Sequence, residues 1–209
     1  MTRMGPQLPV AAESVPGFLH PDEGERLYAL ALTASQQGPC LEVGSYCGKS
    51  TVYIGAACQV AGQLLYAVDH HRGSEEHQPG EEYHDPALYD RAAGRMDSFR
   101  TFRDTLLRAG LEDTVVPLVA PSALAGRHWL HPLALVFIDG GHSREAAFDD
   151  YRTWAPHVQP GGVLAIHDIF PDPAEGGQAP YEIYKLALAS GLFTALQTTR
   201  TLGVLQRVR

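Results

Sequence analysis

Short apolar runs alternate along the chain with longer stretches in which apolar residues recur every three or four positions. The runs at 41–43, 64–69, 114–120, 133–139 and 163–168 have the length and enrichment of buried strands. Helical spacing covers a segment opened by Pro21-Asp22-Glu23 and carrying Leu27, Leu30 and Leu32, with Gly38-Pro39 as its stop signal. It resumes from 48 to about 58, from about 87 to 109, over 144–157 and over 180–190. Two final apolar runs, 192–197 and 201–207, flank Thr198-Thr199-Arg200 and predict a closing hairpin. Strands alternating with helices argue for an α/β fold: a doubly wound, mostly parallel seven-stranded sheet with helices on both faces and an antiparallel C-terminal hairpin.

The sharpest local feature is Leu41-Glu42-Val43-Gly44-Ser45-Tyr46-Cys47-Gly48-Lys49-Ser50-Thr51, where a strand ends in an acid and breaks into a glycine-punctuated turn. Gly44 and Gly48 permit positive φ and close approach to a ligand, and Ser50 and Thr51 stand at the start of the next helix. Three residues separate the glycines where a phosphate-binding P-loop needs four, so its ring of N–H donors is not reproduced. Position 46 is Tyr, which removes the dinucleotide fingerprint as well. A second strand ends in Asp69, 25 residues after Gly44. In doubly wound sheets an acid at that point accepts from ribose hydroxyls.

Composition narrows the class. At 209 residues and 44% hydrophobic content the chain predicts one domain over 1–209, with a flexible arm at 1–16 and active-site loops at 70–86 and 170–180. A net charge of −8 without a basic block argues against a nucleic-acid partner. Cys40, Cys47 and Cys58 form an odd set with no C-x-x-C, as in reduced intracellular proteins. No apolar run reaches about 18 residues and 1–16 lacks a signal-peptide pattern, so the expectation is a cytoplasmic protein with no membrane partner. A homodimer is compatible with this reading and not required by it.

With Glu42 two residues before the first glycine, Gly44-Ser45-Tyr46-Cys47-Gly48 resembles motif I of class I S-adenosylmethionine (SAM) methyltransferases, and in particular the catechol O-methyltransferase group. The resemblance implies SAM as cofactor, with Glu42 under its methionine end, the Gly44 backbone against it, and Tyr46 and Ser50 on its amino-acid moiety. Ser45 and Gly48 complete the cofactor loop, Asp69 and His70 stand at the ribose, and Ser122 at the adenine. The seven-stranded fold of that family then covers the chain from about Gly17 onward. Gly17-Phe18-Leu19-His20-Pro21-Asp22-Glu23-Gly24 and Ile138-Asp139-Gly140-Gly141-His142 are similar to a broad bacterial family of small SAM-dependent methyltransferases whose acceptors vary.

Ligands of open α/β sheets lie at the carboxyl ends of the strands. Two strand ends, Phe137-Ile138-Asp139-Gly140-Gly141-His142 and Ala165-Ile166-His167-Asp168, carry the most reactive chemistry. Asp139 and Asp168 lie 29 residues apart, and adjacent parallel strands would bring them and His167 to one pocket edge. That set suits a divalent cation or base-assisted transfer. Catechol-type enzymes place acids or an acid and an amide where this chain has His167-Asp168. The departure disfavours magnesium and leaves manganese, iron or zinc open. Asp139 also belongs to the expected cofactor contacts. The macrolide sugar O-methyltransferases are similar in placing a histidine after this acid as general base, a role that would fall to His142, while His167 remains an alternative base. Four histidines between 70 and 84 match no tight metal motif and read as a solvated insert; 171–180 reads as a lid with glycine hinges.

The expected function is SAM-dependent methyl transfer to a hydroxyl of a small-molecule or sugar-like acceptor, with metal assistance left open. Metal-independent N- or C-methylation and a non-catalytic SAM- or nucleotide-binding regulator are the alternatives.

Overall fold

A computed structural model describes residues 6–74, 77–78, 80–81 and 84–209. Helix α1 (Pro21–Ala34) starts with Pro21 and a capping box in which the His20 ring accepts from the Asp22 N–H and the Glu23 carboxylate accepts from the His20 N–H. Its inward face is Glu23, Leu27, Leu30, Ala31 and Ala34, an i, i+4, i+7 stripe that includes one carboxylate. Strand β1 (Cys40–Val43) follows, then α2 (Lys49–Ala61), entered through Gly48 at φ +95° and left through Gly62 at φ +67°.

The remaining sheet strands are β2 (Leu65–Asp69), β5 (Val115–Val119), β6 (Leu133–Ile138), β7 (Val158–Ile166), β8 (Phe193–Ala195) and β9 (Gly203–Arg207). They join β1 in a seven-stranded sheet of order β5-β2-β1-β6-β7-β9-β8. β5, β2, β1, β6 and β7 run parallel, and β9 pairs antiparallel with both β7 and β8. The doubly wound architecture and the closing hairpin predicted from the apolar runs are therefore present. Two cores cover the sheet faces. One packs α1, α2 and α3 (Phe99–Ala109) against Leu65, Leu135 and Phe137; the other packs α5 (Arg144–Trp154) and α6 (Ala179–Ala189) against Leu41, Val136 and Leu164. Pro117 is tolerated in β5 because that strand lies at the sheet edge, where a missing N–H costs no ladder bond.

Several expected boundaries move. The helix predicted over 87–109 begins only at Phe99. Before it come a 3₁₀ turn, Pro86–Leu88, and a small antiparallel ribbon of β3 (Tyr89–Asp90) and β4 (Arg95–Met96). Asp90 accepts from the Ala92 and Ala93 N–H groups and Asp97 from the Phe99 N–H, side-chain turns that compete with helix. A short helix α4 (Ser122–Gly126), not anticipated, follows β5. α5 ends at Trp154, and β7 starts at Val158, earlier than the apolar run suggested. The arm predicted to be flexible through 16 is packed from Ala12 onward: Ala12 and Val15 are buried, and Arg108 donates to the Ser14 hydroxyl.

Leu135 lies in the central β6 and is wholly buried. Leu135→Ala is expected to lower unfolding free energy by about 2–5 kcal/mol in denaturant titration, whereas Val60→Ala on the exposed flank of α2 changes it by no more than about 0.5 kcal/mol. Equal effects would show that the core does not run through this strand.

Candidate active site

Parallel pairing of β1 with β6 carries on past both strands: the Asp139 N–H donates to the Val43 carbonyl, and the Gly44 N–H donates to the Val68 carbonyl of β2. At Gly44, φ is +87° and a Cβ would run into the Asp139 carbonyl. Only glycine satisfies both the dihedral and the contact. The next residues are held by Asp69: its Oδ2 accepts from the Ser45 and Tyr46 N–H groups at 3.0 and 2.8 Å, and its Oδ1 accepts from the His71 N–H at 2.7 Å. Tyr46 takes φ +46°, a strained value for a bulky residue, and its ring meets His77 at 5.2 Å and Phe18 at 6.0 Å.

Glu42 sits beneath this loop, fully buried. Its Oε2 accepts from the Thr51 hydroxyl at 2.6 Å, tying strand to helix, while Oε1 and the neighbouring Ser45 hydroxyl have no partner among the described residues. Burial raises the Glu42 carboxyl to about 7 against the lowering influence of the Ser50 and Thr51 hydroxyls.

The β6 and β7 ends supply the second half of the site. Asp168 stands at φ +55°, in the left-handed region that non-glycine residues seldom adopt. His142 Nε2 lies 3.1 Å from Asp168 Oδ2. The His167 ring is buried and held on both sides: Nε2 is 3.1 Å from Glu23 Oε2, and Nδ1 is 3.1 Å from Asp139 Oδ1 and 3.2 Å from Asp168 Oδ2. Burial alone would depress its pKa, but the Asp139 charge and the bonds to Asp139, Asp168 and Glu23 prevail and hold it well above the usual imidazole value. Asp168 is held well below the usual carboxylate range: its burial is outweighed by the bonds from His142 and His167. Glu23 is likewise lowered to about 2, since the bonds from His167 and Thr201 overcome its burial. Ligand-capable atoms of Asp139, His142 and Asp168 lie within 4.8 Å of one another.

Both halves open into one cavity of about 680 Å³. Of the residues singled out from sequence, Gly44, Ser45, Tyr46, Ser50, Asp69, His70, Ser122, Asp139, His142, His167 and Asp168 line it. Glu42 and Gly48 do not: Glu42 underlies the loop, and Gly48 faces Thr105 and Phe102, where its missing side chain serves helix packing. Ser122 receives the Trp154 indole N–H at 2.8 Å. The 70–86 loop reaches the cavity through His70, Gly73, Ser74 and His77; Glu75, Glu76, Pro79, Glu82 and Tyr83 lie outside the described residues. No residue of 170–180 lines this cavity, so the lid expected there does not cover it.

Sequence reasoning passed over Pro16 to Leu19, Lys49 and Asp150, which also line the cavity, and Glu23, which anchors His167. Both acids carried a legible signal. Glu23 falls on the stripe with Leu27 and Leu30, and Asp150 on the stripe with Ala147 and Trp154, positions where a helix buries apolar residues.

The raised Glu42 pKa fixes a pH dependence. A carboxyl whose folded pKa lies near 7 against 4.5 unfolded destabilises the fold progressively as pH rises between those values. Glu42→Gln is therefore expected to melt close to wild type below pH 4.5 and increasingly above it as pH rises toward 7, measured by thermal unfolding. A gap independent of pH would contradict the assignment.

The methyltransferase-domain family model matches residues 41–169, more than half of the chain, from β1 to just past the end of β7. Solved structures of similar fold include the O-methyltransferase NovP, with 18% identity, TM-score 0.65 and coverage of 90% of this chain and 80% of that one. The O-methyltransferase TomG from Streptomyces achromogenes in complex with SAM matches with 18% identity, TM-score 0.60 and coverage of 92% and 82%. An O-methyltransferase from Bacillus cereus in complex with S-adenosylhomocysteine (SAH) matches with 20% identity, TM-score 0.62 and coverage of 95% and 86%. At such identities the likeness speaks for the fold alone; the family match carries the assignment, and the chain belongs to the methyltransferase-domain family.

Proposed function

We propose that the protein transfers the methyl group of SAM to a hydroxyl of a small-molecule or sugar-like acceptor. The observation that carries this reading is the meeting of the Gly44-to-Ser50 loop with Asp139, His142 and Asp168 in a single cavity. The loop suits a cationic amino-acid ligand: its floor is an acid with one unpartnered oxygen, and the adjacent Ser45 hydroxyl is unpartnered too. A P-loop would present a cation there. A SAM complex and an SAH complex of similarly folded O-methyltransferases support the same choice.

Methyl transfer from a sulfonium is an in-line displacement on an activated donor, so alignment supplies most of the acceleration, on the order of 7–11 kcal/mol. The chain's own residues prepare the acceptor. His142 directs Nε2 at Asp168, so Nε2 carries the proton and Nδ1 is the basic nitrogen that would take the proton of the acceptor hydroxyl. Asp168, ionised by its bonds, orients the ring and stabilises the imidazolium that forms. We assign His167 neither base nor ligand duty: both its nitrogens face carboxylates, which only accept, so the ring is the donor on both sides and has no lone pair to offer. It fixes the two acids instead.

The donor set also fits a divalent ion. Asp139, His142 and Asp168 converge, are part-exposed, and mix oxygen with nitrogen, as manganese, iron or zinc accept more readily than magnesium. A bound ion would polarise the acceptor oxygen and lower its pKa. The acidic net charge of −8 supports a small-molecule acceptor over nucleic acid, and no described helix is long and apolar enough to cross a membrane.

Thermal-shift titration tests the donor: SAM and SAH should raise the melting temperature, while ATP and NAD should not. Stabilisation by ATP alone would sink the reading. With SAM and a panel of hydroxylated acceptors, His142→Gln should keep SAH binding and lose about a hundred- to ten-thousandfold in kcat. Full turnover in that variant would remove His142 from the mechanism.

A further inference from the structure

The outer face of α3 and the ribbon that precedes it gather positive charge on an acidic protein. Arg91, Arg95, Arg100 and Arg103 are all exposed. Their neighbouring acids are engaged elsewhere. Asp90 Oδ1 accepts from the Ala92 and Ala93 N–H groups, Asp97 accepts from the Phe99 N–H and the Arg72 guanidinium, and Asp104 lies 3.9 Å from Arg108. Among the described residues none of the four arginines has an ion-pair partner; Arg95 donates to the Ala93 carbonyl of its own turn. Taking these four charges from the net −8 leaves −12 on the rest of the chain, so the patch reverses the local sign.

The face has a defined shape. α3 buries Phe102, Thr105, Leu106 and Ala109, and Arg100, Arg103 and Leu107 form an i, i+3, i+7 row on the opposite side, with Leu107 at 62% exposure. At 1.5 Å per residue that row is about 10 Å long. Ribbon and helix meet at Ser98, which donates its N–H to the His71 carbonyl, sets its Oγ 2.9 Å from His71 Nδ1, and lines the large cavity. Anything seated on this face therefore stands beside the cavity wall.

Charge and shape together choose the occupant. A small free anion needs a concave site, which an exposed helix row does not offer. A lipid surface or a nucleic-acid duplex spreads its negative charge far beyond 10 Å and would meet the repulsion of the remaining −12. An acidic helix matches better: its carboxylates recur at i, i+3 and i+4 with the same rise as the arginines, guanidinium takes carboxylate in a two-pronged pair, and an apolar residue on the next turn covers Leu107. We propose that the β3–β4 ribbon and the outer face of α3 are a docking surface for an acidic amphipathic helix of a partner protein. The inference does not depend on the cofactor or the reaction.

Fluorescence anisotropy with the full chain and a labelled helical peptide of about 20 residues, carrying Glu at i and i+4 and Leu on the following turn, provides the test. Wild type should bind it more tightly than a scrambled peptide of equal composition, poly-L-glutamate, phosphatidylserine vesicles or duplex DNA, and the binding should weaken as ionic strength rises past about 0.15 M. The double variant Arg100→Glu with Arg103→Glu should lose at least about tenfold in affinity, and a peptide with Lys in place of Glu should recover it. Both changes are on the surface, so the melting temperature should stay near that of wild type. No binding of the acidic helix by wild type would overturn the proposal, as would equal binding of the scrambled peptide or poly-L-glutamate. Tighter binding of the vesicles or of DNA would reassign the patch to lipid or nucleic acid. A double variant that is folded and binds like wild type would place the contact elsewhere and overturn it too.

Discussion

The approach of the Gly44 backbone to the Asp139 carbonyl is the constraint on which the site depends. Two parallel strands, β1 and β6, pair up to their last residues, and the pairing is extended by the Asp139 N–H bond to Val43. A side chain at 44 would prise them apart. Because they stay together, the loop that would hold a methyl donor and the acids that would prepare an acceptor share one cavity. Asp69, one strand further along, takes three N–H bonds and sets that loop at a strained Tyr46. Donor loop and acceptor edge are thus placed by sheet pairing, the most rigid part of the molecule, and not by mobile segments.

A second device stiffens the acceptor edge. His167 occupies a position where catechol-type enzymes carry an oxygen ligand, and in this chain it is clamped between Glu23 of α1 and the two acids at the strand ends. Breaking such a buried pair from one side leaves an uncompensated charge, so α1 is tied electrostatically to the site as well as by packing. Glu23 also accepts from the Thr201 N–H and hydroxyl, which links the turn before β9 to the same point. His167 bridges Asp139 and Asp168, and His142 also reaches Asp168.

Much of this was legible in the residues. Apolar runs of strand length located every strand of the main sheet, and the glycine spacing of the 44–48 turn separated it from phosphate loops. What escaped depended on geometry that local pattern does not carry. Asp90 and Asp97 turned the start of an expected helix into a ribbon through side-chain bonds to the backbone. Glu42 was expected beneath the loop and lies there, but its bond to Thr51, which ties β1 to α2, is not visible in the motif. His167 looked reactive by residue type, and only the folded position of Glu23, 144 residues away, shows its ring fully engaged. Glu23 and Asp150 could have been found by asking which acids fall on the apolar stripe of a helix, a question of phase that composition hides.

The central claim is that one cavity aligns a SAM methyl group with the Asp139–His142 edge. A crystal structure of the protein with SAH tests it most directly. The account predicts the amino-acid end on the Gly44-to-Ser50 loop, the ribose at Asp69, the adenine by Ser122, and the sulfur facing Asp139 and His142 across an open acceptor space. SAH bound in the reverse direction, or outside this cavity, would contradict it.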